Sequence, residues 1–201
     1  TVEEICDLFT LLHKLDNGSG IIRQTEFFLY SPKDKEAVIK CMEMGYEFPQ
    51  ITSWIRAKKE DFQLVRDMGV KETGILVSCS DYHIFKKMHW TRSEAMKNYL
   101  EVVEAALSEG IVPRCHFEDI TRADFFGFVL PFAEKLMDLS RESGINIKIR
   151  ACDTLGLGPS IPGVVMPPSV QQIIYGLTNY AGVPSQSLEW HGHNDFYNAV
   201  P

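Results

Sequence analysis

One stretch of the sequence carries most of the information about the architecture, and it reads Leu188-Glu189-Trp190-His191-Gly192-His193-Asn194-Asp195. On an extended strand alternate residues face the same side, so His191 and His193 are expected to project together, with Gly192 adding no bulk between them. Two imidazoles placed in this way are natural ligands for one divalent cation. The alternative is a pair of hydrogen-bonded histidines without a metal. Either way, the stretch indicates a strand that carries polar chemistry at its carboxyl end.

Upstream of this stretch, short apolar segments alternate regularly with amphipathic ones. The residues predicted to form strands are 21–28, 51–56, 72–80, 112–118, 145–153 and 188–194. The predicted helices are a first segment capped by Thr1 and ended by Gly18-Ser19-Gly20, residues 32–44, 58–68 and 92–109, a segment that ends at Gly144, and residues 170–180. Strict alternation of this kind predicts a parallel sheet with helices outside it.

The predicted fold class is α/β, a (β/α)8 TIM barrel present here as a partial barrel of about strands 2–7 that lacks the first and last units. A complete barrel needs about 250 residues, whereas this chain has 201. A doubly wound open sheet is the structural alternative, but no Gly-x-Gly-x-x-Gly follows the first predicted strand. Because no linker or low-complexity stretch interrupts the chain, residues 1–201 are predicted to form a single, incomplete catalytic barrel domain.

The composition narrows the class of protein. A net charge of −7 argues against nucleic acid as a partner, because phosphate contacts need clustered Lys and Arg. No run approaches the ~20 apolar residues of a membrane span, and no signal peptide opens the chain. The five cysteines are odd in number, widely spaced and without a Cys-x-x-Cys pair. This pattern predicts reduced, mostly buried thiols in a cytoplasmic protein and argues against a zinc site built on the cysteines.

Two further predicted strands end in side chains that suit catalysis. Asp153 and Thr154 precede a glycine-containing turn, where they are placed to position a substrate carbonyl or carboxylate oxygen. Capping of that turn is the simpler role for Asp153. His116 and Glu118 share one face of the preceding strand, and a carboxylate aimed into a barrel that holds a cation is a candidate for proton transfer.

Polar side chains also close the remaining predicted strands. They are Gln24 and Glu26, Arg56, and the run Ser78-Cys79-Ser80-Asp81-Tyr82-His83. Each has an ordinary explanation as a solvated or hydrogen-bonded group, but the strand ends would converge if the sheet closes. Asp119, which follows Glu118, is expected to pair with Arg122 or to cap the next helix.

Together these motifs resemble one known family. Asp153-Thr154-Leu155-Gly156 followed by His191-Gly192-His193-Asn194-Asp195 is similar to the barrel family of 2-isopropylmalate synthase, homocitrate synthase, citramalate synthase and hydroxymethylglutaryl-CoA lyase. The resemblance covers nearly the whole chain. Further matches are Glu26, Ser80-Asp81-Tyr82-His83 and Glu118-Asp119. The residues around these motifs resemble those of the Re-face citrate synthases, which use oxaloacetate.

The resemblance implies an enzyme, an acyltransferase that joins the acetyl group of acetyl-CoA to a 2-oxo acid in a Claisen-type condensation. His191 and His193 would bind a divalent metal ion (Mg²⁺, Mn²⁺, Zn²⁺ or Co²⁺) that chelates the 2-oxo acid. Thr154 would hydrogen-bond the substrate carboxylate. Glu118 would assist in removing the methyl proton of acetyl-CoA, and His83 would lie close to the substrate.

The resemblance also implies the substrate class. Arg56 has a place similar to one where homocitrate synthases hold the far carboxylate of their substrate. A guanidinium there favours oxaloacetate or 2-oxoglutarate over 2-oxoisovalerate. Glu26 would steady an arginine of the family's first strand, and Gln24 and His116 are also assigned to substrate binding. His116 stands where relatives usually carry Ser. The full-length protein is expected to be a cytoplasmic homodimer.

Several alternatives stay open. The chain also suits a 2-isopropylmalate or citramalate synthase, a hydroxymethylglutaryl-CoA lyase, or a non-catalytic remnant or scaffold. A biotin-dependent carboxyltransferase usually shows a metal-bound modified lysine, which has no counterpart here. The family's first strand, with its Arg-Asp motif and third metal ligand, and its eighth strand are not found in this chain. The isolated chain is therefore expected to expose sheet edges and to be inactive alone.

Overall fold

A computed structural model describes residues 1–199, which contain six strands. The strands are β1 (Gln24–Phe28), β2 (Gln50–Arg56), β3 (Glu72–Ser78), β4 (Val112–Glu118), β5 (Lys148–Asp153) and β6 (Leu188–Gly192). The helices are α1 (Val2–Asp16), α2 (Pro32–Glu43), α3 (Phe62–Asp67), α4 (Arg92–Ser108), α5 (Leu130–Ser143) and α6 (Val170–Asn179). The predicted alternation of strand and helix is thus confirmed.

Three of the helices begin at capping boxes. The side chains of Thr1, Ser31 and Thr91 each accept a hydrogen bond from the amide N–H three residues later, and the acidic side chain at that position bonds back. This reciprocal pairing satisfies amide donors that the first helical turn leaves without a partner, so it fixes where the helix starts. No helix among residues 1–199 is long and apolar enough to cross a membrane.

The chain divides into two compact units, Thr1–Gly74 and the part that begins at Ile75, with the boundary inside β3. In the first unit β1 and β2 pair in parallel, with Glu26 opposite Thr52. In the second unit β4 pairs in parallel with β5, and β5 with β6. Within each unit the strands follow one another in chain order.

The two faces of the sheet in the second unit differ sharply. Ile149 and Ala151 are fully buried on one face, where Phe117 stacks on Phe132 of α5 with ring centroids 5.2 Å apart. Burying a large apolar side chain contributes about 1.5–3 kcal/mol, so this face holds the helices to the sheet. The opposite face of β4 carries Arg114, His116 and Glu118. Cysteines also lie inside, as predicted; those that are buried are Cys41, Cys79, Cys115 and Cys152.

Some predicted boundaries shift. β1 begins at Gln24 and not at residue 21, because the Asp16 carboxylate accepts the amide hydrogens of Gly20 and Ile22 and holds the preceding residues in a turn. The helix predicted for residues 58–68 is confined to Phe62–Asp67, after a 3₁₀ turn at Lys59–Asp61. Additional π-helical turns at Tyr82–Lys87 and Phe125–Val129 follow β3 and β4.

Candidate active site

The carboxyl end of β6 brings two imidazoles together. The ring centroids of His191, in β6, and His193, one residue beyond its end, lie 5.2 Å apart with 65° between their planes, so the two rings are neighbours. Both residues are exposed, and His193 keeps 49% of its side-chain surface accessible, with Nδ1 3.8 Å from Asp195 Oδ2. The proximity that the alternation predicts for the two histidines is therefore what the structure has.

The turn after β5 holds His193 in place. The amide N–H of His193 donates to the carbonyl oxygen of Asp153 at 3.2 Å. Gly156, with φ +67°, passes so close that a Cβ there would lie 2.7 Å from the carbonyl oxygen of His193. Only glycine combines a left-handed backbone with this approach. These two backbone contacts fix the position of His193 relative to the turn after β5.

Asp153 caps this turn, which is the simpler of the two predicted roles. Its Oδ1 accepts hydrogen bonds from the Thr121 hydroxyl at 2.8 Å and the Leu157 amide at 2.9 Å, and Oδ2 accepts from the Gly158 amide at 2.7 Å. The residue is 2% exposed. A buried carboxylate with three donors is committed to the fold and has little left to offer a ligand.

Thr154 is better placed for a ligand. Its Oγ1 accepts the Asp119 amide hydrogen at 2.8 Å, while the Cys152 carbonyl, as an acceptor for the hydroxyl hydrogen, lies 3.5 Å away. The hydroxyl hydrogen is therefore weakly held and can be redirected to a stronger acceptor. Thr154 also lines a surface cavity of about 390 Å³ together with Leu155, Leu157, His193, Asp195 and Phe196.

Glu118 is the last residue of β4, and His83 lies beside it in the π-helical turn that follows β3. His83 Nδ1 lies 3.3 Å from Glu118 Oε2. The same carboxylate oxygen accepts a hydrogen bond from the Ser78 hydroxyl, and Lys87 Nζ is 3.9 Å away. Glu118 is level in the sheet with Cys152, which is level with His191. The acid–imidazole pair and the histidine pair therefore occupy the same layer of the second unit.

Asp119 is a structural carboxylate, as the expected pairing with Arg122 indicated. Arg122 binds it in a bidentate manner, with Nε 2.8 Å from Oδ1 and Nη2 2.6 Å from Oδ2. The Ser80 hydroxyl donates to Oδ2, and His83 Nε2 lies 3.9 Å from that oxygen. Asp119 is completely buried and has φ 63°, so its neighbours hold it in a sparsely populated backbone conformation.

A charged cluster lies one layer deeper on the same face, and the sequence reasoning did not identify it. Arg114, which is 1% exposed, and Arg150 both bind Glu189, with closest distances of 3.3 Å and 2.7 Å. Burial alone would raise the pKa of the Glu189 carboxyl, but the charges and hydrogen bonds of the two arginines outweigh it and lower that pKa. His116, also buried, is level with Arg150 in this layer. The alternation Arg114-x-His116-x-Glu118 was the available signal.

The three candidate residues of the first unit are placed as follows. Gln24 is the first residue of β1, and its side-chain amide donates to Glu72, the first residue of β3, at 3.0 Å. Both therefore lie at the amino-terminal edge of the strands, which is the wrong end for a strand-end site. Glu26 is in the middle of β1.

Arg56 ends β2, as predicted, but it already has an internal partner. Its Nε and Nη2 bind the Asp61 carboxylate at 2.9 Å and 3.1 Å, and its guanidinium lies 4.9 Å from the centre of the Tyr30 ring. Arg56 therefore does not need a dicarboxylic substrate to pair its charge, because Asp61 already supplies a carboxylate. Its role in substrate selection stays a prediction.

The fold has a counterpart among solved structures. Hydroxymethylglutaryl-CoA lyase from Pseudomonas aeruginosa superposes on 98% of this chain and 63% of its own with a TM-score of 0.63, at 17% sequence identity. This likeness is one of fold, and it confirms the predicted partial TIM barrel.

The chain belongs to the HMGL-like family, whose model matches residues 21–201. A citrate (Re)-synthase of Clostridium kluyveri is 64% identical over 200 residues, which are 100% of this chain and 44% of that protein. A citrate (Re)-synthase of Syntrophus aciditrophicus is 56% identical over 200 residues, covering 100% of this chain and 32% of that protein. The chain thus spans less than half the length of these curated relatives.

Proposed function

We propose that the protein to which this chain belongs condenses acetyl-CoA with a dicarboxylic 2-oxo acid, with oxaloacetate as the first candidate and citrate as the product. The observation that carries the proposal is the 64% identity, along the whole chain, to a citrate (Re)-synthase. The layer of Glu118, His83, His191 and Thr154 in the second unit is consistent with it, because it combines an acid–base pair with cation ligands and a hydroxyl donor.

The reaction needs a proton to leave the methyl group of acetyl-CoA and the resulting carbon to attack the keto carbon of the 2-oxo acid. Glu118 and His83 are the groups proposed to accept and move that proton, since they are 3.3 Å apart and only partly exposed. Water then cleaves the thioester of the adduct and releases CoA. Thr154 is proposed to hold the substrate carboxylate with its redirected hydroxyl hydrogen.

A divalent cation is proposed to be held by His191 and His193, and when bound it would supply positive charge beside the keto and carboxylate oxygens. The two imidazoles fit such an ion by their donor chemistry and proximity. Within residues 1–199 no group of three or more His, Cys, Asp or Glu side chains is arranged to hold a metal. Further ligands would therefore be substrate or water oxygens or groups outside the described residues. Mg²⁺ and Mn²⁺ are the metals proposed first.

The proposed place of action is the cytoplasm, and the support is indirect. Four buried cysteines suit a reducing compartment, in which thiols do not need to pair. Redox state measured on protein isolated under alkylating conditions would test this proposal.

The test of the reaction is a CoA-release assay on the protein at its natural length. Oxaloacetate, 2-oxoglutarate, pyruvate and 2-oxoisovalerate are each supplied with acetyl-CoA and Mn²⁺ or Mg²⁺. Fastest release with oxaloacetate, together with citrate identified by mass spectrometry, is expected. Fastest turnover with 2-oxoisovalerate would instead indicate a 2-isopropylmalate synthase, and release of CoA with none of the four acids would refute a condensing enzyme of this kind.

A further inference from the structure

Ser78 stands at the junction between the second unit's sheet and its acid–imidazole pair. It is the last residue of β3 and is 4% exposed. Its hydroxyl donates to Glu118 Oε2 and lies 3.4 Å from His83 Nδ1. One small side chain thus touches both groups to which proton transfer is assigned.

The backbone of Ser78 is itself fixed from outside the sheet. The phenol oxygen of Tyr99, on α4, accepts the Ser78 amide hydrogen at 3.1 Å, and the phenol is 3.2 Å from the Ser78 carbonyl oxygen, to which it can donate. Tyr99 is 2% exposed, and burial raises the pKa of its phenol, so the hydroxyl stays a neutral donor and acceptor. The Tyr99 hydroxyl therefore contacts both the amide nitrogen and the carbonyl oxygen of Ser78.

A second serine, two residues later, also donates its hydroxyl to a carboxylate, and the two carboxylates differ in their other partners. Ser80 donates to Asp119 as Ser78 donates to Glu118, so two alternate serines hold two consecutive carboxylates. Arg122 also binds Asp119 in a bidentate manner, so a guanidinium holds that carboxylate as well as the Ser80 hydroxyl. Lys87 Nζ lies 3.9 Å from Glu118 Oε2, on a side chain that is 59% exposed. Ser78 is 4% exposed, so its hydroxyl is a more firmly placed partner of Glu118 than the exposed Lys87 ammonium group.

We propose that Ser78 is a positioning residue for proton transfer: its hydroxyl sets the Glu118 carboxylate against His83, and Tyr99 sets Ser78. The inference rests on the proposed function, since it concerns the same acid–base pair. Misplacing a reacting group by about 1 Å can cost about 100-fold in rate, so the effect should appear in the proton-transfer step and not in substrate binding.

The test compares Ser78→Ala with Ser78→Thr, which keeps the hydroxyl, and with Tyr99→Phe, in the protein at its natural length. Ser78→Ala is expected to lower kcat about 10- to 100-fold while leaving the KM values of both substrates within about twofold. The kinetic isotope effect with acetyl-CoA deuterated at the methyl group should rise, because proton removal becomes slower than the other steps. Ser78→Thr should restore most of kcat, and Tyr99→Phe should shift the isotope effect in the same direction by less.

Ser53→Ala is the matched control, since Ser53 is also a buried strand serine and its hydroxyl bonds Thr73 at 2.9 Å. It should lower the unfolding temperature without changing the isotope effect. If Ser78→Ala and Tyr99→Phe also lose only stability and keep the wild-type kcat and isotope effect, the positioning role is refuted. Glu118→Gln separates the two proposals: its full activity would overturn the role of Glu118 itself, whereas its inactivity beside a normal Ser78→Ala would overturn only the role of Ser78.

Discussion

The amide nitrogen of His193 lies 3.2 Å from the carbonyl oxygen of Asp153, and this backbone hydrogen bond ties the end of β6 to the turn after β5. The turn is rigid because the Asp153 carboxylate accepts three hydrogen bonds within the second unit. The position of the His193 backbone therefore depends on Asp153 and on the groups that hydrogen-bond its carboxylate, none of which is assigned a catalytic role.

Gly156→Ala should reduce metal binding and kcat by more than the backbone strain of an alanine at this position alone would cause. An alanine at φ +67° costs about 1–2 kcal/mol, and its Cβ would press on the His193 carbonyl oxygen at 2.7 Å. We expect weaker metal binding, measured by titration with Mn²⁺, and at least a tenfold loss of kcat. Gly144→Ala is the control: Gly144 has φ +69° but nothing within 4 Å of the added methyl group. Equal losses in both variants would contradict the role given to the turn.

Thr154→Val should weaken binding of the 2-oxo acid specifically. The hydroxyl hydrogen is assigned to the substrate carboxylate, and a hydrogen bond to a charged group is worth about 1.5–3 kcal/mol. The KM for the 2-oxo acid should therefore rise at least about tenfold, while the KM for acetyl-CoA stays unchanged. Thr154→Ser, which keeps the hydroxyl and its contact to the Asp119 amide, is the control and should keep both KM values near those of the wild type. A rise of both KM values in Thr154→Val would point to general distortion of the site.

Glu189→Gln should destabilise the fold in a pH-dependent way. Removing the charge takes one ionic interaction away from Arg114, which is 1% exposed, and one from Arg150, at a cost of about 3 kcal/mol at pH 7. The folded-state pKa of Glu189 is lowered, so its stabilisation is complete above the unfolded pKa near 4.3 and is lost as pH falls through the lower folded value. Urea unfolding at several pH values checks this: the difference between wild type and variant should shrink below about pH 4. A constant difference down to pH 3 would be inconsistent with it.

Much of the architecture could be predicted from the sequence, because period-2 and period-3.6 apolar patterns dominate it. The His191–His193 pair was predictable for the same reason, since strand alternation alone puts both rings on one side. The capping role of Asp153 and the pairing of Asp119 with Arg122 also followed from local chemistry. These features depend on neighbours in the chain, which a single sequence displays.

Contacts between distant segments were not predictable. Nothing near Arg56 in the sequence indicates that Tyr30 would stack on it within the first unit. The bond from Gln24 to Glu72 depends on where β1 begins, and the Asp16 turn sets that boundary. The Arg114–Glu189 pair joins residues 75 positions apart, and it needs the strand register to be known. Each of these contacts depends on the three-dimensional arrangement of segments that are distant in the sequence.

The most direct test of the proposed metal site measures bound metal and CoA release together in His191→Ala and His193→Ala. His89→Asn is the matched control, because His89 is exposed and its φ of 57° suits asparagine. We expect both alanine variants to lose the tightly bound divalent ion, quantified by plasma mass spectrometry, and at least about 100-fold in kcat, while His89→Asn keeps both. Wild-type metal content and activity in both alanine variants would contradict the proposed metal site.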